Sequence, residues 1–245
     1  MNYNIACVAH RGGDRNKENT IEAVLESIKK GFKYIEIDIQ ESNDGELIVL
    51  HDINLFSKFN IDVIASTCDW SRLSLIRHGD NNQYRIPLLS EVCSIISHSD
   101  VTLILDIKSQ GIEQRVIDMI ETYNIQGKCI LASFNHKSLK IIKNYNGSIN
   151  TMALFECTPV NVTNFIADSS CNYIGVGYES LSIDVVIVSK KLGIPCFVWT
   201  VNNLKDIERA AIMGVDGIIS DYPDRVRRLL DSTASQENVE HLEHG

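Results

Sequence analysis

Histidines, carboxylates and two basic side chains recur in this chain at the points where short apolar runs end. His10-Arg11 follows the run 5–9, Glu36-Ile37-Asp38 closes 34–39, His51-Asp52 follows 46–50, and Asp106-Ile107-Lys108 closes 101–107. Trp199-Thr200-Val201-Asn202 and Asp221 end two later runs. In an extended strand residues i and i+2 share a side, so Glu36 with Asp38, and Asp106 with Lys108, are each aimed together. Three carboxylates from two neighbouring strands would repel one another strongly in a semi-enclosed site unless a cation joined them. Hard oxygen ligands of this kind suit Mg²⁺ or Ca²⁺ better than zinc, and the sequence has no Cys/His cluster of zinc spacing. A lone strand-end carboxylate is ordinarily a loop anchor or a helix cap. It is the gathering of so many polar strand ends that argues for a reactive site. His78, His98 and His136 fall in a loop or at helix edges and are expected at the surface. Glu156 and Glu179 are expected as hydrogen-bonding groups on the rim.

The elements that must position these groups alternate. Apolar, β-branched runs at 5–9, 34–39, 101–107, 129–133, 150–155, 173–176, 195–201 and 217–220 predict eight strands. Amphipathic stretches at 20–30, 89–97, 112–123, 136–145, 160–167, 183–192, 204–213 and 223–230 predict helices between and after them. A further extended run, 46–50, follows the turn signal Asp44-Gly45. Parallel pairing needs a crossover long enough to hold a helix, so the alternation predicts a (β/α)8 TIM barrel, an α/β fold. A doubly wound sheet would instead call for a glycine fingerprint after the first strand, where this chain has His10-Arg11-Gly12-Gly13. In such a barrel, reactive groups gather at the carboxyl ends of the strands, where the polar residues above fall. The expected organisation is one barrel over 1–231, with an insertion at about 52–87 after the second βα region. That insertion either covers the substrate or is a surface excursion. The polar stretch 232–245 is expected to be a frayed tail or an appended remnant.

Composition bounds the rest. Among 245 residues, 44% are hydrophobic and 22% charged, with 14 glycines and 4 prolines, which excludes collagen-like, mucin-like and wholly disordered chains. The formal net charge of -9 opposes a nonspecific grip on nucleic acid or an anionic membrane, so an anionic substrate needs a local cluster of positive charge. Seven widely spaced cysteines without a Cys-x-x-Cys pair favour a reducing compartment. No apolar stretch approaches the ~18 to 20 residues of a membrane span, and no secretory leader is evident after Met1. The expectation is a cytoplasmic protein with no nucleic-acid partner and no stable membrane insertion. The oligomeric state is not legible.

The ordered blocks resemble a known family. His10-Arg11-Gly12, Glu18-Asn19-Thr20, Glu36-Ile37-Asp38, Asp44-Gly45 and His51-Asp52 are similar to the signature of the glycerophosphodiester phosphodiesterases. Further blocks match at Ile86 to Glu91, Asp106-Ile107-Lys108, Ser133-Phe134, Val198 to Asn202 and Gly214 to Asp221. The resemblance spans roughly residues 5 to 230. It implies metal-dependent hydrolysis of glycerophosphodiesters to glycerol 3-phosphate and an alcohol. By matching position, His10 and His51 would be the acid/base pair, and Glu36, Asp38 and Asp106 would hold one divalent cation, Mg²⁺ or Ca²⁺. Arg11 and Lys108 would contact the phosphate, and Phe134, Trp199 and Asn202 would line the glycerol or leaving-group side, with Glu18 and Asn19 in support.

The acid/base reading also stands on chemistry, because two imidazoles of pKa near ~6.5 can divide proton removal and proton delivery near neutral pH. The chain departs from the family at Asp106, where Glu is usual, and after His51-Asp52, where an Arg-Thr-Thr segment is missing. Two alternatives share the barrel: a phospholipase D-like enzyme acting on lysolipids or sphingolipids, and a noncatalytic phosphodiester-binding barrel.

Overall fold

The computed structural model describes residues 5–232. In chain order these form β1 (Ala6–Ala9), α1 (Ile21–Lys29), β2 (Tyr34–Glu41), β3 (Leu47–Val49), α2 (Phe56–Phe59), α3 (Trp70–Leu73), β4 (Arg77–His78) and β5 (Tyr84–Arg85). They continue with α4 (Leu89–Ser97), β6 (Thr102–Ile107), α5 (Glu113–Thr122), β7 (Cys129–Ser133), α6 (His136–Tyr145), β8 (Asn150–Phe155) and α7 (Val162–Ser169). After these come β9 (Tyr173–Gly177), α8 (Ile183–Leu192), β10 (Cys196–Trp199), α9 (Leu204–Met213), β11 (Gly217–Ser220) and a last helix over 223–232.

Strands β1, β2 and β6 to β11 pair in parallel, and β11 returns to β1, so the sheet closes into the (β/α)8 barrel that the alternation predicts. Strand β3 runs antiparallel on β2, with Val49 opposite Ile39. Period two divides each strand between two cores. On β2, Ile35, Ile37 and Ile39 face the helices, together with Leu103, Leu105 and Ile107 of β6. The alternate residues point inward, where Val8, Ile104, Ile130, Met152, Phe197 and Ile219 fill the barrel. The inward side of β2 and β6 is therefore where Glu36, Asp38 and Asp106 must lie.

Local signals account for most boundaries. The Thr20 hydroxyl accepts from the Ala23 amide and starts α1. Gly12 holds a φ of +89°, and a Cβ there would lie 2.5 Å from the Ala23 methyl, so the loop after β1 can pass against α1 only as glycine. Helix α7 begins at Val162 rather than at 160, because the Asn161 side chain caps the Asn164 amide. Strand β10 ends at Trp199, two residues short of the expected 201.

The segment 52–87 folds on a small core of its own: Leu55, Ala65, Cys68, Leu73, Ile76 and Ile86 pack under β3 residues Ile48 and neighbouring Leu50. His78 lies inside it, 7% exposed, between the rings of Phe59 and Tyr84. The expectation of a surface position for His78 is thus corrected: apolar neighbours close over it. His98 does lie at an exposed helix end, and His136 is held by its Nε2 at 2.9 Å from the Leu154 carbonyl. Of the expected tail at 232–245, everything from 233 onward lies outside the described residues.

Candidate active site

Strands β2 and β6 set Asp38 directly opposite Asp106 in the parallel register, with Glu36 two residues before Asp38 on the same face. Carboxylate oxygens of the three residues lie within 4.8 Å of one another, and all three residues are buried. Two cations reach them. The Lys108 ammonium bonds Asp106 and lies 3.2 Å from Asp38, and the Arg11 guanidinium lies 3.1 Å from Asp38 through Nε. Arg11 adopts a left-handed φ of 50°, which for a residue with a Cβ costs ~1 kcal/mol or more. That conformation brings its backbone N–H to Glu36 Oε2 at 2.9 Å.

Charge here is unevenly compensated. Burial works to raise the Asp38 carboxyl, but Lys108, Arg11 and the Asn19 side-chain amide hold it below its usual value. Burial pushes Asp106 up to about 6, with Asp38 adding to the shift and Lys108 opposing it. Burial, then Asp38, likewise raises Glu36. Asp106 Oδ1 is buried and makes no hydrogen bond. An orphaned, buried carboxylate oxygen beside two more carboxylates is what a hard divalent cation would satisfy, so the donor set fits such an ion.

His10 and His51 flank this cluster. His10 Nδ1 sits 2.6 Å from Asp221 Oδ1, and its Nε2 lies 3.8 Å from Glu36. Burial works to lower the His10 pKa, but the hydrogen bond to Asp221 and the charge of Glu36 raise it above its usual value. His51 Nδ1 lies 2.8 Å from Asp52 Oδ1. Each ring is thus oriented by a carboxylate at its Nδ1.

A cavity of about 220 Å³ joins these groups. His10, Arg11, Glu36, Asp38, His51, Asp106 and Lys108 line one half; Ile104, Phe134, Met152, Leu154 and Trp199 line the other. Phe134 and Trp199 meet edge to face at 5.3 Å, and the Lys108 ammonium stands 5.3 Å from the Phe134 ring centre.

A model of the glycerophosphoryl diester phosphodiesterase family matches residues 10–225. The chain belongs to this family. It is therefore an enzyme, a phosphoric diester hydrolase. A glycerophosphodiester phosphodiesterase of Caldanaerobacter subterraneus is 32% identical over 234 residues, covering 91% of this chain and 96% of that protein. Among solved structures, a glycerophosphodiester phosphodiesterase of Thermotoga maritima superposes with a TM-score of 0.75 at 24% identity, covering 92% of this chain and 98% of that one. A phosphodiesterase of Oleispira antarctica, solved with the product sn-glycerol-3-phosphate, superposes with a TM-score of 0.81 at 23% identity, over 91% of this chain and 96% of that one.

For this glycerophosphodiester phosphodiesterase fold, eleven of the twelve sequence-selected residues gather around the cavity or touch a residue that lines it. Glu18 bonds Arg11 Nη1 at 3.0 Å, and Asn19 holds both the backbone N–H and a carboxylate oxygen of Asp38. Phe134 and Trp199 form the apolar wall. Asn202 stands elsewhere: it is not among the residues lining this cavity, and its side-chain amide bonds Asp221 at 2.8 Å while its oxygen accepts from Ser220 and the Asp221 amide. None of the described residues of 52–87 is among those lining this cavity. Two contributors were missed. Asp221 was visible as a polar strand end but not as the partner of His10, and Lys58 of α2 bonds Glu18 from a segment with no periodic signal.

Proposed function

We propose that this enzyme hydrolyses glycerophosphodiesters to glycerol 3-phosphate and an alcohol, with His10 and His51 transferring the protons and Glu36, Asp38 and Asp106 holding one divalent cation, Mg²⁺ or Ca²⁺. The observation that carries the reading is the convergence on one cavity of two carboxylate-oriented imidazoles, three clustered carboxylates and two cations. When bound, the cation supplies positive charge to the phosphoryl oxygens. The chain's own residues do the rest. Arg11 and Lys108 bring fixed positive charge to the polar half of the cavity, so an acidic protein can take an anionic substrate. One imidazole removes a proton from the attacking oxygen and the other delivers one to the departing alkoxide, while the apolar wall of Phe134 and Trp199 receives the uncharged carbon skeleton.

The sn-glycerol-3-phosphate held by the Oleispira antarctica enzyme supports the product side of this reading. A second reading, a phospholipase D-like activity on lysolipids or sphingolipids, draws on the apolar half of the cavity, including Met152 and Leu154. No helix among the described residues is long and apolar enough to cross a membrane. The seven free thiols favour a reducing compartment such as the cytoplasm.

Phosphorus NMR of reactions with glycerophosphocholine, glycerophosphoethanolamine and lysophosphatidylcholine separates these readings. Glycerol 3-phosphate released from the water-soluble diesters is the expected result. Turnover of the lysolipid alone would favour the second reading, and no turnover of any of the three would overturn both.

A further inference from the structure

From the insertion, Asp52 holds His51, and a second side chain, on α2, reaches the site from farther along the segment. Lys58, on α2, donates from Nζ to the Glu18 carboxylate at 3.0 Å and to the Glu18 carbonyl at 3.0 Å. The other oxygen of that carboxylate accepts from Arg11 Nη1 at 3.0 Å, and Arg11 Nε pairs with Asp38. A continuous file of alternating charge thus runs Lys58, Glu18, Arg11, Asp38, from the insertion to the clustered carboxylates. Every member has a side chain no more than 20% exposed.

We infer that Lys58 is a positioning residue that holds Glu18, and through it the Arg11 guanidinium, in the orientation that receives the substrate phosphate. The inference rests on the phosphodiesterase reading above, in which Arg11 contacts that phosphate.

Three features carry it. First, Lys58 is itself fixed: Leu55, just before α2, is fully buried in the small core of the insertion, and the Phe59 ring packs on His78 at 5.1 Å. Second, the space bounded by Glu18, His51, Lys58 and His78 is about 10 Å³, room for no more than about one water, so little solvent screens the Lys58–Glu18 pair. Third, the charges have a definite order. With Lys58 present, the Glu18 carboxylate is shared between two cations and anchors Arg11 without spending its whole charge on it. Without Lys58, an uncompensated Glu18 draws the guanidinium toward itself and away from the cavity. The grip of Lys58 on the Glu18 carbonyl also steadies the turn into Asn19, whose φ is 60° and whose side chain holds Asp38. The segment 52–87 therefore acts on the site from behind the arginine.

The test is a double-mutant cycle read by binding and by turnover. Lys58→Met is expected to raise the Kd for sn-glycerol 3-phosphate and the KM for glycerophosphocholine on the order of tenfold, with kcat changed less than about threefold. Lys58→Arg, which keeps the charge, restores most of the affinity. In a Glu18→Gln background the Lys58→Met change should add less than about twofold, because the link it acts through is already cut. Equal weakening by Lys58→Met with and without Glu18, or an unchanged Kd and KM, overturns the inference. If Lys58→Met fails to fold, Glu18→Gln alone carries the test: it must raise the same Kd, and an unchanged Kd overturns the proposal. The binding arm needs no turnover, so failure of the hydrolytic reading cannot be mistaken for failure of this one.

Discussion

His10 Nδ1 lies 2.6 Å from Asp221 Oδ1, although the two residues are separated by 211 positions in the chain. Barrel closure makes the contact: β1 pairs with β11, Ala9 opposite Ser220, so the residues that follow each strand emerge side by side. Asn202 holds the second oxygen of Asp221 at 2.8 Å. The imidazole therefore keeps its Nδ1–H toward Asp221 and presents Nε2 to the cavity, a fixed tautomer suited to proton transfer.

Replacing either ring should stop the reaction. His10→Ala and His51→Ala are each expected to lower kcat by at least ~10² while circular dichroism and the urea midpoint stay near wild type. Asp221→Asn keeps the shape but loses the charge that orients His10, and should lower kcat on the order of tenfold or more with KM little changed. Near-normal kcat in either histidine variant removes that residue from the acid/base pair.

Lys108 shares its ammonium between Asp106 and Asp38 while lining the cavity. Lys108→Met should raise KM and lower kcat together, because a contact to the phosphate strengthens as charge develops in the transition state. A crystal soaked with sn-glycerol 3-phosphate checks the placement directly. A phosphate lying away from both Arg11 and Lys108 would sink the assignment of these two side chains.

At Asp106 the chain departs from the family pattern, and its Oδ1 is a buried oxygen that makes no hydrogen bond. A carboxylate one methylene shorter than Glu reaches less far toward an ion. Asp106→Glu is therefore expected to half-saturate with Mg²⁺ or Ca²⁺ at a lower concentration than wild type, and Asp106→Asn at a higher one. Unchanged metal dependence in Asp106→Asn would exclude it as a ligand, leaving Glu36 and Asp38 to carry the ion and Asp106 as the partner of Lys108.

His78 gives the stability a pH dependence of definite sign. Burial, with Lys58 nearby, pushes its pKa down to about 4, whereas in the unfolded chain it titrates near ~6.5. Between these values the unfolded state binds more protons, so this residue's contribution falls as pH drops from about 6.5 to about 4, then levels off. The full effect is on the order of 3 kcal/mol. His78→Phe keeps the packing with Phe59 and Tyr84 and should flatten the urea-derived stability over that window relative to wild type. Parallel curves for the two proteins would show that His78 titrates normally in the fold.

What could be read in the chain before folding follows from periodicity. The inward set of β2 and β6 is legible because period two separates Glu36, Asp38 and Asp106 from the isoleucines and leucines beside them, and parallel register then makes them neighbours. Contacts made by closure are not legible. Nothing local ties Asp221 to His10, and Asn202 was placed on the cavity by its matching position in the family, whereas β10 stops at Trp199 and the Asn202 amide bonds Asp221. The insertion hid His78 and Lys58 for a different reason. Its helices are four residues each, too short to show an amphipathic period, yet its apolar residues still find one another.

The central claim is that one divalent cation, held by Glu36, Asp38 and Asp106, works with His10 and His51 to cleave a glycerophosphodiester. The most direct measurement is turnover of glycerophosphocholine by the wild-type enzyme after removal of metal with EDTA and after adding back Mg²⁺ or Ca²⁺. The account predicts loss of activity on chelation, recovery with one of these ions, and sn-glycerol 3-phosphate as the phosphorus-containing product. Full activity in the chelated enzyme, or release of phosphocholine instead of glycerol 3-phosphate, would contradict it.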